Sequence, residues 1–352
     1  MSVTKPHSIL FRCDASAEIG FGHLVRCLAL ADEICRIRGV RVGFAMRDGA
    51  LGTDIVRQHG YEVFQLPSNW GAETLSRDYS EWLGETMRWF DATILIVDVR
   101  DDLSCQQLKS LSGERRLIVL LDDLSDRRFA AGLAFYPPVP QVQKADWTNF
   151  HGERFVGWEW TILRSQFAAP LRRETTGGRS LLITMGGSDP AGITMQAVRA
   201  AESVDADFNA TIVLGPGFRH KNALFELLAK ARHQFMIREN VNDMRAQMMQ
   251  SDLALCSYGM TSFELAASGV PAIYLCLSED HAESASALAE AGAGWSLGVA
   301  SDVRDQQIAN ALGKLLGDAG RRAQMSATAR GLIDGQGARR VAEVLAERAS
   351  EI

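Results

Sequence analysis

Residues 8–35 read SILFRCDASAEIGFGHLVRCLALADEIC, which is an apolar run, then a loop containing two glycines, then a helical pattern. Ser8–Arg12 has the composition of a buried strand. After the loop, apolar residues recur at helical spacing: Leu24, Cys27, Leu28, Ala31 and Cys35. This spacing predicts an amphipathic helix that packs one face on a sheet. A strand that leads directly into such a helix is the first part of a βαβ unit and favours a parallel sheet.

The alternation continues along the chain. Further strands are predicted at Arg41–Met46, Glu62–Gln65, Thr93–Val97 and Arg116–Leu121, with helices over Thr74–Phe90 and Leu103–Leu111. Residues 168–178 read AAPLRRETTGG, which has no apolar period and predicts an interdomain linker. Strand and helix patterns restart at Leu181–Met185, and the chain is nearly all helical from Val303 onward.

These patterns predict an α/β protein with two doubly wound, Rossmann-like domains that face a central cleft. The predicted division is residues 1–167, a linker over 168–178, and residues 179–352, the last with extra C-terminal helices. In such sheets ligands bind beyond the carboxyl ends of the strands, so functional residues are expected in the loops found there.

Composition restricts the class of partner. The chain has 352 residues, 47% of them hydrophobic, and a net charge of −6, which disfavours nucleic acid because that ligand requires a concentrated basic face. No apolar run reaches the roughly 20 residues of a transmembrane helix, and Met1–His7 lacks the apolar core of a secretory signal. The six cysteines form no CxxC pair. We therefore expect a cytoplasmic protein with reduced thiols and no membrane partner; the sequence leaves its oligomeric state undetermined.

The loop after the first strand carries the first candidate site. Gly20 and Gly22 permit a tight turn, and the exposed amides at the start of the following helix suit an anion. His23 follows this loop and is the predicted general base, with capping or packing as the alternative. Asp14 is predicted to orient His23 or the substrate, and Arg26 to bind the substrate; both can equally be solvated surface charges.

Two further loops combine a preceding strand, glycine and a helix start. In the first, Gly186, Gly187 and Ser188 can cradle phosphate oxygens, and Ser188 or Asp189 can cap the helix. In the second, SYGMTSFELAASGVP over residues 257–271, small residues expose amides at a helix start. The binding residues predicted in this second loop are Ser257, Gly259, Met260 and Thr261. The earlier loop at Gly20 and Gly22 is neither a Walker motif, because the GK[ST] ending is absent, nor a GxGxxG fingerprint.

Two more side chains are candidates near this second loop. Glu264 stands about one turn into the helix, where its carboxylate can accept both hydroxyls of a ribose, or can be a surface carboxylate favoured by the helix dipole. His281 lies in the polar loop SEDH and is otherwise an ordinary surface residue. The loops contain no acidic cluster of the DxD kind, so we expect no metal and no cofactor.

GFGHLVRCLALA, MGGSDP and GMTSFELAASGVP together resemble the PseG family, whose members hydrolyse UDP-2,4-diacetamido-2,4,6-trideoxy-β-L-altropyranose in pseudaminic acid biosynthesis. That family is similar to the MurG-like glycosyltransferases of GT-B fold. The likeness extends from about Ile9 to Gly294 and includes ILIVD at 94–98, LLDD at 120–123 and GWEWTILRSQF at 157–167. One departure is Asp98-Val99-Arg100, because relatives often have DH and an aromatic residue there.

The resemblance implies a GT-B fold and residue roles. It implies that His23 is the general base, that Gly186–Asp189 lies by a diphosphate, and that Glu264 reaches the uridine ribose. It also implies that Val241 contacts uracil through its backbone.

The expected reaction is hydrolysis of the UDP-sugar to free sugar and UDP. Water activated by His23 would attack the anomeric carbon with inversion. One alternative is an inverting UDP-sugar glycosyltransferase of polysaccharide or flagellin glycan synthesis, since the same fold and donor site serve transfer to an alcohol. The other is a nucleotide-sugar binding protein without turnover.

Overall fold

The computed structural model describes residues 7–16, 20–37, 39–47, 50–66, 75–113, 115–169, 179–239 and 241–351. The chain forms two compact units. The N-terminal unit comprises Met1–Ser16, Phe21–Ser165 and Gln336–Ile352, and the C-terminal unit comprises Ala17–Gly20 and Gln166–Gly335. Residues 170–178 of the predicted linker lie outside the described residues.

The strands and helices alternate in chain order. The strands are β1 His7–Cys13, β2 Val40–Met46, β3 Glu62–Gln65, β4 Ile94–Asp98, β5 Leu117–Leu121, β6 Leu133–Tyr136, β7 Glu153–Val156, β8 Ser180–Thr184, β9 Asn209–Leu214, β10 Phe235–Glu239, β11 Leu253–Cys256, β12 Ala272–Cys276 and β13 Gly294–Val299. The helices are α1 Gly22–Cys35, α2 Ala50–Gln58, α3 Leu75–Phe90, α4 Cys105–Leu111, α5 Pro140–Lys144, α6 Ile193–Glu202, α7 Lys221–Leu228, α8 Met244–Met249, α9 Met260–Ala267, α10 Glu279–Glu290, α11 Asp305–Gly317, α12 Ala319–Leu332 and α13 Gly337–Ala349.

Each unit has its own parallel sheet. The N-terminal sheet has the order β3-β2-β1-β4-β5-β6-β7, and the C-terminal sheet has the order β10-β9-β8-β11-β12-β13. In each sheet the first three strands of the chain lead from the middle to one edge, and the fourth strand lies on the other side of the first. The resulting switch points, between β1 and β4 and between β8 and β11, are where doubly wound sheets bind ligands. The predicted α/β class with two Rossmann-like halves is confirmed.

The strands β1 and β4, which are neighbours in the N-terminal sheet, are buried along almost their whole length. Ile94–Asp98 is buried at every position, and Ile9–Cys13 is as well. A strand that is buried on both faces needs helices on both sides of the sheet, which is the usual reason for a continuous apolar run in a parallel sheet. On one side α1 buries the predicted apolar stripe, including Leu24 and Cys27.

Helix α13 packs in the core of the N-terminal unit. Val341, Ala342 and Leu345 share one apolar cluster with Leu24 and Leu28 of α1. The sequence-based division assigns residues 336–352 to the C-terminal domain, so the structure differs there. The reason is that the stripe of α13 is complementary to α1, a tertiary contact that the local helical pattern does not reveal.

Candidate functional site

The first candidate site lies at the carboxyl ends of β1 and β4. Helix α1 begins at Gly22, so His23 and Arg26 fall within its first two turns. Gly20, just before it, has φ +81°, a left-handed conformation that glycine adopts without steric cost. Gly20 therefore permits a turn of the chain just before α1.

His23 pairs with Asp98, the last residue of β4. Its Nδ1 lies 2.6 Å from Asp98 Oδ1, and the two side chains are 20% and 1% exposed. When Nδ1 carries the proton that it donates to this carboxylate, Nε2 holds the lone pair. Nε2 has no hydrogen-bond partner among the described residues. A carboxylate that orients an imidazole in this way is the usual support of a general base.

Arg26 fixes the carboxylate from the other side. Its Nε and Nη2 donate to the two oxygens of Asp98 at 2.8 and 2.7 Å, and its Nη1 donates to Asp122 Oδ2 at 3.1 Å. Burial alone would raise the pKa of Asp98, but Arg26 and then His23 outweigh it and hold that pKa well below its usual range. Asp98 is therefore an anion throughout the neutral pH range and keeps the proton of His23 on Nδ1. Arg26, predicted as a substrate ligand, is engaged by these two carboxylates.

Asp14 does not orient His23, contrary to one of its two predicted roles. Its carboxylate accepts from Nη1 and Nη2 of Arg12 at 2.7 and 2.6 Å, and from the backbone N–H of Arg47 at 2.7 Å. The Arg12 side chain is fully buried and needs a counter-charge. Residues 12 and 14 point to the same face of an extended chain, so Asp14 supplies that charge. Its contact with a substrate remains a prediction.

The second candidate site lies at the carboxyl ends of β8 and β11. A Cβ on Gly186, whose φ is +78°, would lie 3.7 Å from Ser257 Oγ, so the two predicted loops adjoin. Gly186–Ser188 and Ser257–Thr261 are partly exposed. No described residue accepts a hydrogen bond from the backbone amides of Gly186, Gly187 and Ser188. These donors are therefore open to an anion.

The two helix starts in this region differ. Asp189 is buried, and its carboxylate accepts from the amides of Ile193 and Thr194 at 2.8 Å each, so it caps α6. Of the two residues predicted to cap this helix, Asp189 is the one that does so. Its contact with a diphosphate remains a prediction. Helix α9 has no side-chain cap at Gly259. Its positive end is therefore the one available to an anion.

Gly259 allows an anion to approach the start of α9. Its φ of +149° is rare for residues with a side chain, and an added Cβ would meet nothing within 4 Å. The first-turn amides of Met260 and Thr261 have no acceptor among the described residues. The structure thus brings the predicted residues Ser257, Gly259, Met260 and Thr261 together with Gly186–Ser188.

Glu264 is buried, with 4% of its surface exposed. The alternative of a surface carboxylate is therefore wrong. The sequence predicts correctly that Glu264 lies on a helix, but not that its side chain is buried. The reason is that α9 is covered on several sides and six of its residues are buried. A ribose contact by Glu264 remains a prediction.

We expect Glu264→Ala to have two effects. It should weaken UDP binding about tenfold or more, because a charged hydrogen bond is worth about 1.5–3 kcal/mol. It should also lower the free energy of unfolding by about 1–3 kcal/mol, because removing the buried carboxylate leaves the groups that contact it without their partner. Titration calorimetry with UDP and urea denaturation check both. Glu264→Gln, which keeps the volume, is the matched control, and equal UDP affinity in wild type and the alanine variant would leave Glu264 with a structural role alone.

Two predicted ligands of this unit remain, His281 and Val241. His281 is the third residue of α10, its backbone N–H donates to Ser278 Oγ at 3.3 Å, and its ring lies 6.2 Å from that of Tyr258 between centroids. Val241 is partly exposed in the loop between β10 and α8. His281 therefore borders the β11 loop, and the uracil contact of Val241 remains a prediction.

Within the described ranges, no three His, Cys, Asp or Glu side chains are grouped in a way that could hold a metal ion. Among the same residues, no helix combines the length and apolarity that crossing a bilayer requires.

Residues 181–345 match the family model for the Glycosyltransferase family 28 C-terminal domain. The chain is 24% identical over 279 residues to the uncharacterized protein MJ1062 of Methanocaldococcus jannaschii, covering 76% of this chain and 55% of that one. It is 29% identical over 195 residues to the spore coat polysaccharide biosynthesis protein SpsG of Bacillus subtilis, covering 54% and 57%. The matches thus span little more than half the length of these two relatives.

A third relative matches along nearly its whole length. It is the UDP-N-acetylglucosamine–N-acetylmuramyl-(pentapeptide) pyrophosphoryl-undecaprenol N-acetylglucosamine transferase of Acidithiobacillus ferrooxidans, 25% identical over 351 residues, covering 94% of this chain and 96% of that one. Among solved structures, MurG of Acinetobacter baumannii has a TM-score of 0.72 at 15% identity, covering 97% of this chain and 100% of that one. Anabaena Alr3699/HepE, in complex with UDP and glucose, has a TM-score of 0.61 at 15% identity, covering 97% and 100%. The fold is GT-B, as in the MurG-like superfamily.

Proposed function

We propose that this protein is an enzyme acting on a UDP-sugar, in which His23 activates the group that attacks the anomeric carbon. The observation that carries the proposal is the pair of His23 and Asp98, with Nδ1 bound to a buried carboxylate and Nε2 open. The match to a glycosyltransferase domain over residues 181–345 and the UDP-sugar transferase among the relatives support the choice of substrate class.

The reaction assigns a separate task to each unit. In the N-terminal unit, His23 Nε2 accepts the proton of a hydroxyl whose oxygen forms a bond to the anomeric carbon. The bond between that carbon and the phosphate oxygen breaks, and its electrons leave with UDP. Attack opposite the leaving group inverts the configuration. In the C-terminal unit, the amides of Gly186–Ser188 and the start of α9 stabilise the charge of the departing diphosphate.

Two nucleophiles fit this step. A hydroxyl of an acceptor molecule would make the protein a glycosyltransferase, which the family model and the transferase among the relatives favour. Water would make it a hydrolase, which the resemblance of its three motifs to the PseG family favours. A binding protein without turnover has no need of an oriented imidazole with an open nitrogen, so the His23–Asp98 pair argues against that third possibility.

The deciding experiment is a screen of UDP-hexoses for UDP release, first without and then with simple glycosides as acceptors, with the sugar product followed by NMR. Release without an acceptor indicates hydrolysis, and release only with one indicates transfer. In the hydrolysis case, ¹⁸O from labelled water should enter the sugar at its anomeric carbon. Label in the UDP would show attack on phosphorus and contradict the role of His23, and a protein that does not bind UDP would contradict the proposal as a whole.

We expect full activity in excess EDTA. Backbone amides and the uncapped end of α9 can stabilise a diphosphate leaving group without a divalent ion, because fixed dipoles aimed at the developing charge need no reorganisation. The measurement is the rate of UDP release at saturating substrate with and without chelator, with added Mg²⁺ as the control. Loss of turnover on chelation, restored by Mg²⁺, would replace this account of the leaving group.

A further inference from the structure

The LLDD motif at residues 120–123 ends β5 with two aspartates that have different surroundings. Asp123 is buried, accepts from Arg127 Nε at 2.6 Å and from the Ser125 amide at 2.9 Å, and its backbone carbonyl accepts from Tyr136 at 2.7 Å. These contacts hold the loop after β5 in place. Asp123 therefore has a structural role, and Asp122 is the aspartate of this motif that can contact a ligand.

Asp122 has a strained backbone. Its φ is +53°, in the left-handed region that few residues other than glycine adopt. Its N–H donates to the Phe135 carbonyl at 2.9 Å, and its own carbonyl accepts from Arg100 at 3.3 Å, so the surroundings hold this conformation. Strained residues that are held in this way concentrate at ligand sites, where they direct a side chain.

The carboxylate of Asp122 has an oxygen available to a ligand, whereas both oxygens of Asp98 accept hydrogen bonds from the protein. Both are bound by Arg26, but Asp98 is 1% exposed and accepts through both oxygens, from Arg26 and His23. Asp122 is 32% exposed, its Oδ2 accepts from Arg26 Nη1 at 3.1 Å, and its Oδ1 has no partner among the described residues. An exposed acceptor thus stands one residue beyond the end of β5, beside the strand that ends in Asp98.

We infer that Asp122 binds a hydrogen-bond donor of the substrate's sugar, a hydroxyl or an acylamino N–H, and so helps to select the sugar. A carboxylate only accepts hydrogen bonds, and its charge repels a diphosphate, so the sugar is the part of a UDP-sugar that suits it. Arg26 links this contact to the pair that carries the base, because the same guanidinium binds Asp122 and Asp98. The inference rests on the proposed function.

The test compares UDP with UDP-sugars in the full-length protein. Titration calorimetry with UDP, UDP-glucose and UDP-N-acetylglucosamine gives, for each variant, the ratio by which the sugar tightens binding over UDP alone. The variants are Asp122→Ala and Asp122→Asn, the second chosen because asparagine tolerates a positive φ. Asp126→Asn, on the same loop with an 85% exposed side chain, is the matched control.

We expect the best UDP-sugar to bind the wild type more tightly than UDP, and Asp122→Ala to lower this ratio tenfold or more while the affinity for UDP stays within twofold. Asp122→Asn should retain part of the ratio, and Asp126→Asn all of it. Equal ratios in wild type and Asp122→Ala, or a parallel loss of UDP affinity, would overturn the inference. Those results leave the proposed function standing, whereas a wild type that binds no UDP removes both.

Discussion

His23→Ala should lower kcat for UDP release by about 100- to 10,000-fold, the range that general base catalysis supplies. The reason is that Nε2 is the open nitrogen of the His23–Asp98 pair and no other imidazole among the described residues is bound to a buried carboxylate at a switch point. The affinity for UDP should change little, since UDP lacks the sugar on which His23 acts. Steady-state kinetics and calorimetry on the same preparation measure the two quantities.

His59→Ala is the matched control, because His59 is exposed in the same unit. It should keep the rate of the wild type. Near-normal turnover in His23→Ala would remove His23 from the mechanism and leave its bond to Asp98 as a structural contact.

Asp98→Asn should reduce kcat by about 100- to 10,000-fold, close to the effect of losing His23. An amide can present its N–H to Nδ1, which would leave the proton of the imidazole on Nε2, where a base needs its lone pair; this loss of the correct tautomer costs about 10,000-fold in a serine protease. The substitution also leaves Arg26 partly uncompensated, and breaking such a buried pair costs about 3–5 kcal/mol of stability.

A double variant separates the two effects. Asp98→Asn with Arg26→Gln removes both charges, so it should regain much of the stability in urea denaturation while kcat stays low. Recovery of kcat together with stability would show that Asp98 acts only through the fold.

The pH dependence of stability gives an independent check on Asp98. Its pKa is depressed in the folded protein, so the stability it contributes is present above its unfolded pKa of about 3.9 and is lost as the pH falls below that value. Asp98→Asn should therefore lose less stability than the wild type when the pH is lowered from about 5 toward 3.

Much of the fold follows from local pattern. The strands predicted in the first half of the chain correspond to β1–β5, and all of them except β3 are short, mainly apolar runs beside a helical stripe. The strands β6, β7, β10 and β13 were missed. Leu133–Tyr136 is apolar and buried but has only four residues, whereas β10 is partly exposed and lies at the edge of its sheet. Neither combines the length and the apolar pattern that predict a strand.

The partner of His23 was missed for a different reason. Asp14 is near in sequence, whereas Asp98 is 75 residues away and meets His23 only because β1 and β4 are adjacent. Two signals were available. Arg12 and Asp14 alternate onto the same face of a strand, which indicates that they pair with each other. Asp98 ends an otherwise apolar strand, and an acidic residue at that position of a parallel sheet indicates a site.

Helix α13 imposes an order of events on the N-terminal unit. The ribosome synthesises β1 and α1 early, but the part of the apolar cluster around α1 that α13 contributes is absent until Gly337–Ala349 has been made. The start of α13 packs closely against Thr161, since a Cβ on Gly337 would lie 2.1 Å from the carbonyl oxygen of that residue. Domains usually finish folding in the order of synthesis. Here the N-terminal unit, whose strands are synthesised first, cannot complete its core until the C-terminal unit has been translated, and the apolar surface that α13 covers is exposed in the nascent chain until then.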